Sequence, residues 1–484
     1  MKKKKYLIPI LIILCILLIL AAASISRQVY RRNTYISING IVYPRASTEL
    51  DLSGTPEPEL DRIRELTGLK KLNLRDTGIS TGDYEALQAA LPECEILWSV
   101  PFQGGYLPHD VTEITLSTLS AEDISQLAYL PQLQTVHADE CGDYDQLLAL
   151  RGAYPQLEVS YFVPIQGQNL SMDTAELTLT DADAQELARM LPYLPEMQTV
   201  TLEGTLPEAA ALQQLTAAFP GIRFYWQIEL FGQTADVDTV ELDFTRIPMD
   251  SVDEVESAVA YLPSLEKVIM SYCGISNQEM EALNNRHEDV LFVWNVLIAD
   301  LSFRTDMTVF MPSQYAIKLD DSNSYNLRYC TEIICMDLGH HNVSRCDFVA
   351  YMPKLKYLIL ADTSVRDLSP LENCKELIYL ELFLSRVTDY TPLLNCTALE
   401  DLNISYTHGD IEIISQMTWL KNLWWSFGPE QEPYRLARRQ EILSAALPNT
   451  YIELDTQSST GEGWRKLPNY YAQRDLLGMP YFLY

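Results

Sequence analysis

The sequence predicts an α/β solenoid whose parallel sheet lines a concave face, preceded by one N-terminal transmembrane helix. Three observations carry that expectation: an uncharged apolar run at the start of the chain, a phrase that repeats every 22 residues near its end, and a slower rhythm of about 64 residues between them. Each is taken in chain order, because each fixes a different part of the architecture.

The 484 residues open "MKKKKYLIPILIILCILLILAAASISRQVYRR", and Tyr6 to Ile25 form a 20-residue stretch without a charge. That length spans a bilayer as a helix, so residues 6–26 read as a signal-anchor. Lys2 to Lys5 hold residues 1–5 as a cytoplasmic stub and send the body outward. The rival is a cleaved signal peptide, since Leu7 to Leu20 followed by "AAAS" offers a small-residue cleavage site. The length of the run and the fence of Arg27, Arg31 and Arg32 favour the anchor. Cys15 follows Leu14 rather than a small residue, so lipid modification there is not expected. Both readings make the body extracytoplasmic. Residues 27–47 read as a linker.

Residues 1–32 hold seven basic residues and no acid, leaving 28 basic against 66 acidic residues beyond them. A surface so acidic repels nucleic acid and anionic lipid, so no nucleic-acid partner is expected and the membrane is met through the N-terminal helix alone.

The 22-residue phrase is LxxLxL. It occurs at Ile333, Met336 and Leu338; at Leu355, Leu358 and Leu360; at Leu377, Leu380 and Leu382; at Leu399, Leu402 and Ile404; and at Leu420, Leu423 and Trp425. Alternation over five or six positions makes a short strand. A fixed period makes a stack in which each strand covers its neighbour's leucines, because one turn cannot bury its own. Between strands, "VRDLSPL" and "VTDYTPL" place Pro370 and Pro392 where a long helix would otherwise grow. This phrasing resembles the 22-residue leucine-rich repeats of bacterial surface proteins of the internalin-like class, over residues 331–427. The resemblance implies a leucine-rich-repeat horseshoe with its parallel sheet on the concave side.

Upstream, "TELDLSG" at Thr48 returns as "TEITLST" at Thr112, "AELTLTD" at Ala175 and "VELDFTR" at Val240. Each unit holds a second strand and a third marked by Trp98, Tyr161, Trp226 or Trp294. Helical patterns lie between, such as Ser120 to Leu130 with Ser120 as N-cap, and a capping box of Ser276 with Glu279. Residues 48–300 therefore read as a long-period leucine-rich-repeat array, although the third strand and the link after it fit the frame poorly. Residues 301–330 read as an irregular junction, and residues 428–484 as a C-terminal cap closing the open end.

Three positions past the last apolar strand residue stand Thr77, Cys141, Thr205, Cys273, His341, Thr363, Ser385 and Thr407. Leucine-rich repeats turn such residues inward to bond the backbone at the strand exit. Cys141 and Cys273 are thereby read as structural, and a Cys374–Cys396 disulfide is a minor alternative.

Catalytic spacing is nearly absent: no phosphate loop, nucleophile elbow or HExxH occurs, and "HEDVL" at His287 has Leu291 where a second His would stand. No cofactor, metal site or catalytic residue is expected, and His340 with His341 falls on repeat positions. What remains is the outward side of the strands, where aromatics and carboxylates gather at the C-terminal end. Tyr357, Tyr379, Glu381, Phe383, Asp401, Tyr406 and Trp424 are the candidate binding residues, with Glu381 expected to face solvent. They suit a protein, peptide or glycan ligand. The competing reading is that the tail folds back and covers them. The expected function is binding by a membrane-anchored extracytoplasmic protein, not catalysis. A structural spacer or assembly subunit of the cell envelope is the alternative, and an unrecognised surface hydrolase ranks third.

Overall fold

The computed structural model describes residues 7–427, 432–456 and 459–480, so the expected stub of residues 1–5 lies outside the described residues. An N-terminal helix runs Leu7–Thr34, and its Ile12–Thr34 portion, with mean hydropathy 2.2, is long and apolar enough to cross a membrane. The helix therefore continues past the expected boundary at residue 26, because nothing between Ser24 and Arg32 breaks it. Nor are residues 27–47 a plain linker. Tyr35–Ile38 and Ile41–Pro44 pair as an antiparallel hairpin around Asn39 and Gly40.

The chain forms two compact units, Met1–Tyr225 and Trp226–Tyr484. In the first, Glu49–Asp51, Lys71–Leu74 and the start of Glu95–Phe102 pair in parallel, aligning Leu50, Leu72 and Ile96. Glu113–Thr115, Thr135–His137 and Glu158–Ser160 repeat the arrangement, and Glu176–Thr180 with Thr199–Glu203 begin it again. Helices such as Thr81–Ala90 and Tyr144–Ala153 return the chain between strands. The predicted caps are met here and in the second unit: Ser120 with Asp123 and Ser276 with Glu279 both form reciprocal capping boxes.

The poor fit of each third strand has a structural cause. That strand leads into a β-hairpin rather than straight back to the repeat. Glu95–Phe102 pairs in parallel at its start and antiparallel with Gly105–Pro108 at its end. The turns Gln103-Gly104 and Gln166-Gly167, like Asn39-Gly40, hold both central residues at positive φ. This is the type I′ geometry that matches strand twist, and glycine takes its second position without penalty. Phe231-Gly232 and Ala299-Asp300 make the same turn in the second unit.

The second unit carries Glu241–Asp243, Lys267–Ile269 and Leu291–Val293, then a seven-stranded parallel sheet. Its strands are Val309–Phe310, Cys335–Asp337, Tyr357–Ile359, Tyr379–Glu381, Asp401–Asn403, Asn422–Trp424 and Tyr451–Glu453. Phe310, Met336, Leu358, Leu380, Leu402, Leu423 and Ile452 pair successively in one row. Residues 301–330 are thus more regular than expected: Leu301–Arg304 is a hairpin arm, and Val309–Phe310 opens the short-period sheet. Short 3₁₀ turns at Ser369–Asn373 and Thr391–Asn395 begin with Pro370 and Pro392 near their N-termini. These short arms, matched in length by the 3₁₀ turn Asp347–Tyr351 that has no proline at its start, keep the period near 22.

Several of the inward polar residues bond the backbone, whereas the Cys141 thiol donates to the Asp143 carboxylate and the buried Ser385 hydroxyl has no partner among the described residues. The hydroxyls of Thr77, Thr363 and Thr407 donate to Leu74, Leu360 and Ile404 carbonyls at 2.6, 2.7 and 2.6 Å. The Cys273 thiol donates to the Phe244 carbonyl at 3.1 Å. Thr205 departs from this pattern and is exposed, its N–H donating to Asp181 Oδ1 at 2.6 Å. Cys374 and Cys396 are buried free thiols, donating to the Val349 and Leu371 carbonyls instead of to each other.

Candidate functional site

The outward positions of the short-period strands form two rows. One aligns Cys335, Tyr357, Tyr379, Asp401 and Asn422; the other aligns Asp337, Ile359, Glu381, Asn403 and Trp424. Alternation puts these side chains opposite the leucines. On an uncovered sheet they would be wet. Here all are buried except Asp337 and Asn422, which are half-buried.

The cover is the C-terminal segment. A short turn, Gly461–Trp464, leads to the helix Pro468–Leu476, started by Pro468. Trp464 is wholly buried, with ring centroids 5.1 Å from Tyr379 and 5.3 Å from Trp424. Its indole N–H donates to Glu381 Oε1 at 2.7 Å, and the Tyr379 hydroxyl donates to the same oxygen. The Asn469 amide donates to Asp401 Oδ2 at 3.0 Å, while Asn422 donates to the other oxygen at 2.7 Å. Asn403 donates to the Ser459 carbonyl at 2.9 Å. A Cβ on Gly463 would lie 2.9 Å from Trp424 Cζ2, so only glycine allows the backbone this close. Tyr470 and Leu477 complete a cluster with Met311, Tyr357, Ile359 and Phe383.

Burial governs the electrostatics. It pushes the Glu381 carboxyl up, against the lowering effect of its bonds from Tyr379 and Trp464. It pushes Asp401 up against the bonds from Asn422 and Asn469, and Asp337 up against the Gly339 N–H. The Tyr379 phenol is held well above its ordinary range, by burial first and by the Glu381 carboxylate second.

The expectation of an open aromatic surface is therefore corrected. Tyr357, Tyr379, Glu381, Phe383, Asp401 and Trp424 are brought together, but each is buried, Glu381 at 5% exposure and Asp401 at 1%. The competing reading, a tail folded back over the face, is the arrangement found. Tyr406 is only half-buried and stands outside the cluster, at a strand exit with φ of 58°. The residues missed are those of the tail, above all Trp464 and Asn469, together with Asp337 and Asn403. A signal was present: Trp464, Leu467, Tyr470 and Leu477 recur at helical spacing, an apolar stripe that must find a surface.

The long-period strands of the first unit leave their outward positions open. Glu113, His137, Ser160 and Asp139 form a hydrogen-bonded line there, with His137 Nε2 3.1 Å from Glu113 and Nδ1 3.3 Å from Ser160 Oγ. The order is that of a carboxylate, an imidazole and a hydroxyl. Yet Ser160 Oγ donates its one proton to Asp139 at 3.0 Å, so the imidazole does not receive it as a general base would. Among the described residues, no group of three or more His, Cys, Asp or Glu is placed to hold a metal ion. His340 Nδ1 instead meets Asp362, and His341 accepts the Leu319 N–H.

Stacked parallel strands, one per turn, with a 22-residue period and leucines in register, define a leucine-rich-repeat fold. No family model matches the chain, and no curated protein does. Solved structures similar to it include an internalin from Listeria monocytogenes, 15% identical, covering 87% of this chain and 87% of that one with a TM-score of 0.22. A leucine-rich-repeat protein of Leptospira interrogans is 15% identical over 85% of this chain and 96% of its own, with a TM-score of 0.26. The leucine-rich-repeat ectodomain of a plant membrane receptor kinase from Arabidopsis thaliana, in complex with Casparian strip integrity factor 2, is 13% identical. It covers 84% of this chain and 46% of that one, with a TM-score of 0.24.

Proposed function

We propose that this chain is a membrane-anchored, extracytoplasmic module that binds a peptide segment of a protein partner on the concave face of its 22-residue repeats. One observation carries the reading: that face already engages a peptide segment, the chain's own, through side-chain-specific hydrogen bonds rather than apolar contact alone. Tyr357, Tyr379, Phe383 and Trp424 supply a flat apolar floor, Glu381 and Asp401 supply oriented acceptors, and Tyr406 stands at the rim. Such a surface recognises peptide donors and aromatic side chains. The acidic surface argues against nucleic acid as the partner.

The N-terminal helix, long and apolar enough to cross a membrane, and the lysines before it support the reading of a body outside the cytoplasm. A mature chain beginning at Ser24 would reject the anchor. Resistance of the body to protease added outside intact cells would reject export.

A displayed random-peptide library, screened with the full chain carrying Trp464→Ala, tests the site. The expected binders are centred on an aromatic donor and are lost when Glu381→Ala and Asp401→Ala are added. Binders indifferent to both carboxylates, or none at all, reject this face.

The assembly alternative has its own support in the hairpins. Their second arms, such as Ile41–Pro44 and Gly105–Pro108, pair on one side only and expose Ile41, Val42 and Tyr106. Unpaired edges of this kind accept strands from other chains.

A further inference from the structure

The tail is not what closes the end of the repeat array. That task falls to the helix Pro433–Ala446 and the strand Tyr451–Glu453, which pairs with Asn422–Trp424. Leu443, Leu447 and Leu454 belong to the main core, continuous with Leu380, Leu402 and Leu423. Trp464, Tyr470 and Leu477 belong to a separate cluster, on the opposite side of the sheet, that shares no buried member with it. The solenoid is thus sealed before the tail begins.

The interface beneath the tail is also a poor permanent core. It buries the Glu381 and Asp401 carboxyls and half-buries that of Asp337. Gln473 is fully buried with both amide atoms unpaired, and the Trp424 indole N–H is unpaired as well. Each such group costs free energy that a well-packed apolar side chain would not. What this arrangement offers instead is selectivity, since Glu381 and Asp401 accept from specific donors at fixed places.

We propose that residues 459–480 are a displaceable in-cis occupant of this groove, and that its external ligand is a peptide presenting an indole N–H to Glu381 and a carboxamide to Asp401. The proposal rests on the concave-face reading above and names the ligand class and control of that same site. The tail competes at the high effective concentration of a tethered segment, so the groove admits an outside peptide only in proportion to the time the tail is away.

Acid tightens the clasp. Asp337, Glu381 and Asp401 are pushed up while the tail covers them, so the docked state holds protons the open state releases. Their contribution to docking is full below the ordinary carboxylate range, about 4, and is lost as pH rises through the docked values. Facing them are Tyr379, Tyr357 and Glu400 from the strands, Tyr470 from the tail, the His340 imidazole, and the cations Lys421 and Arg474. The two cations oppose the effect without cancelling it.

The test uses the full chain in detergent and a labelled synthetic peptide of residues 459–480 as probe. Hydrogen exchange should show amides of 468–476 opening at least about 100-fold more readily than those of 379–381 and 401–403. After correction for intrinsic rates, the tail should be better protected at pH 5 than at pH 7. Trp464→Ala in the chain should tighten probe binding by about 10-fold or more, and Asn469→Ala by less. A probe itself carrying Trp464→Ala should bind neither variant. If the tail exchanges only with the core, displacement is overturned while probe binding by the Trp464→Ala chain still upholds recognition. If both variants stay folded by circular dichroism and neither gains probe binding, recognition and displacement fall together.

Discussion

The long-period and short-period arrays write their strands in the same grammar and give opposite fates to the same position. In Glu176–Thr180, Thr178 stands between the inward Leu177 and Leu179 and is exposed. In Tyr379–Glu381, Glu381 stands between the inward Leu380 and Leu382 and is buried. Local alternation is equal in the two places. The difference is a segment 83 residues downstream that ends its path on one face and not the other. An outward position in a repeat therefore defines where a side chain points, and not what it meets.

The inward rows should not separate the arrays. Leu380→Ala and Leu72→Ala each remove a wholly buried leucine packed between equivalents on the neighbouring strands. Each should cost about 2–5 kcal/mol, measured by denaturant unfolding of the respective unit. A much smaller loss at either site would break the shared register.

The outward rows should separate them clearly. Glu381→Ala strands the Trp464 indole N–H and the Tyr379 hydroxyl, and should weaken tail protection in hydrogen exchange by about 1–3 kcal/mol. Thr178→Ala, at the corresponding exposed position, should change stability by less than about 0.5 kcal/mol. Equal effects would mean that the cover over Glu381 does not hold it.

The return arms give the smallest contrast. The Ser276 side chain accepts the Glu279 N–H and starts a ten-residue helix, so Ser276→Ala should cost about 1 kcal/mol. Thr391 is exposed at the start of a proline-bearing 3₁₀ turn without a side-chain cap, and Thr391→Ala should move the midpoint by less than about 0.5 kcal/mol. A comparable loss at Thr391 would show that the short arms depend on caps after all.

Much of the fold was legible because it is written locally. The middle positions 336, 358, 380, 402 and 423 pair as their spacing required. The hairpins were harder to see, since a third strand that changes partner halfway satisfies no single period. Gln103-Gly104 and Gln166-Gly167 nonetheless carry the turn chemistry in plain letters. Of the candidate site, the sequence supplied the members and missed their cover. The stripe from Trp464 to Leu477 announces an amphipathic segment without naming the surface it will meet.

What the sequence alone determined is the repeat: which residues form strands, which leucines turn inward, that the arms of the 22-residue repeats are short, and that one apolar helix precedes the body. These follow from periods of 2 and 22 and from φ restrictions, all settled within a few residues or between adjacent turns. What only the tertiary structure decided is the state of the concave face. Docking Trp464 on Glu381 and Asn469 on Asp401 depends on the summed fit of two surfaces distant in sequence. No local pattern encodes that sum, because burial, hydrogen bonding and the protonation of the carboxyls become defined only once both surfaces are in place.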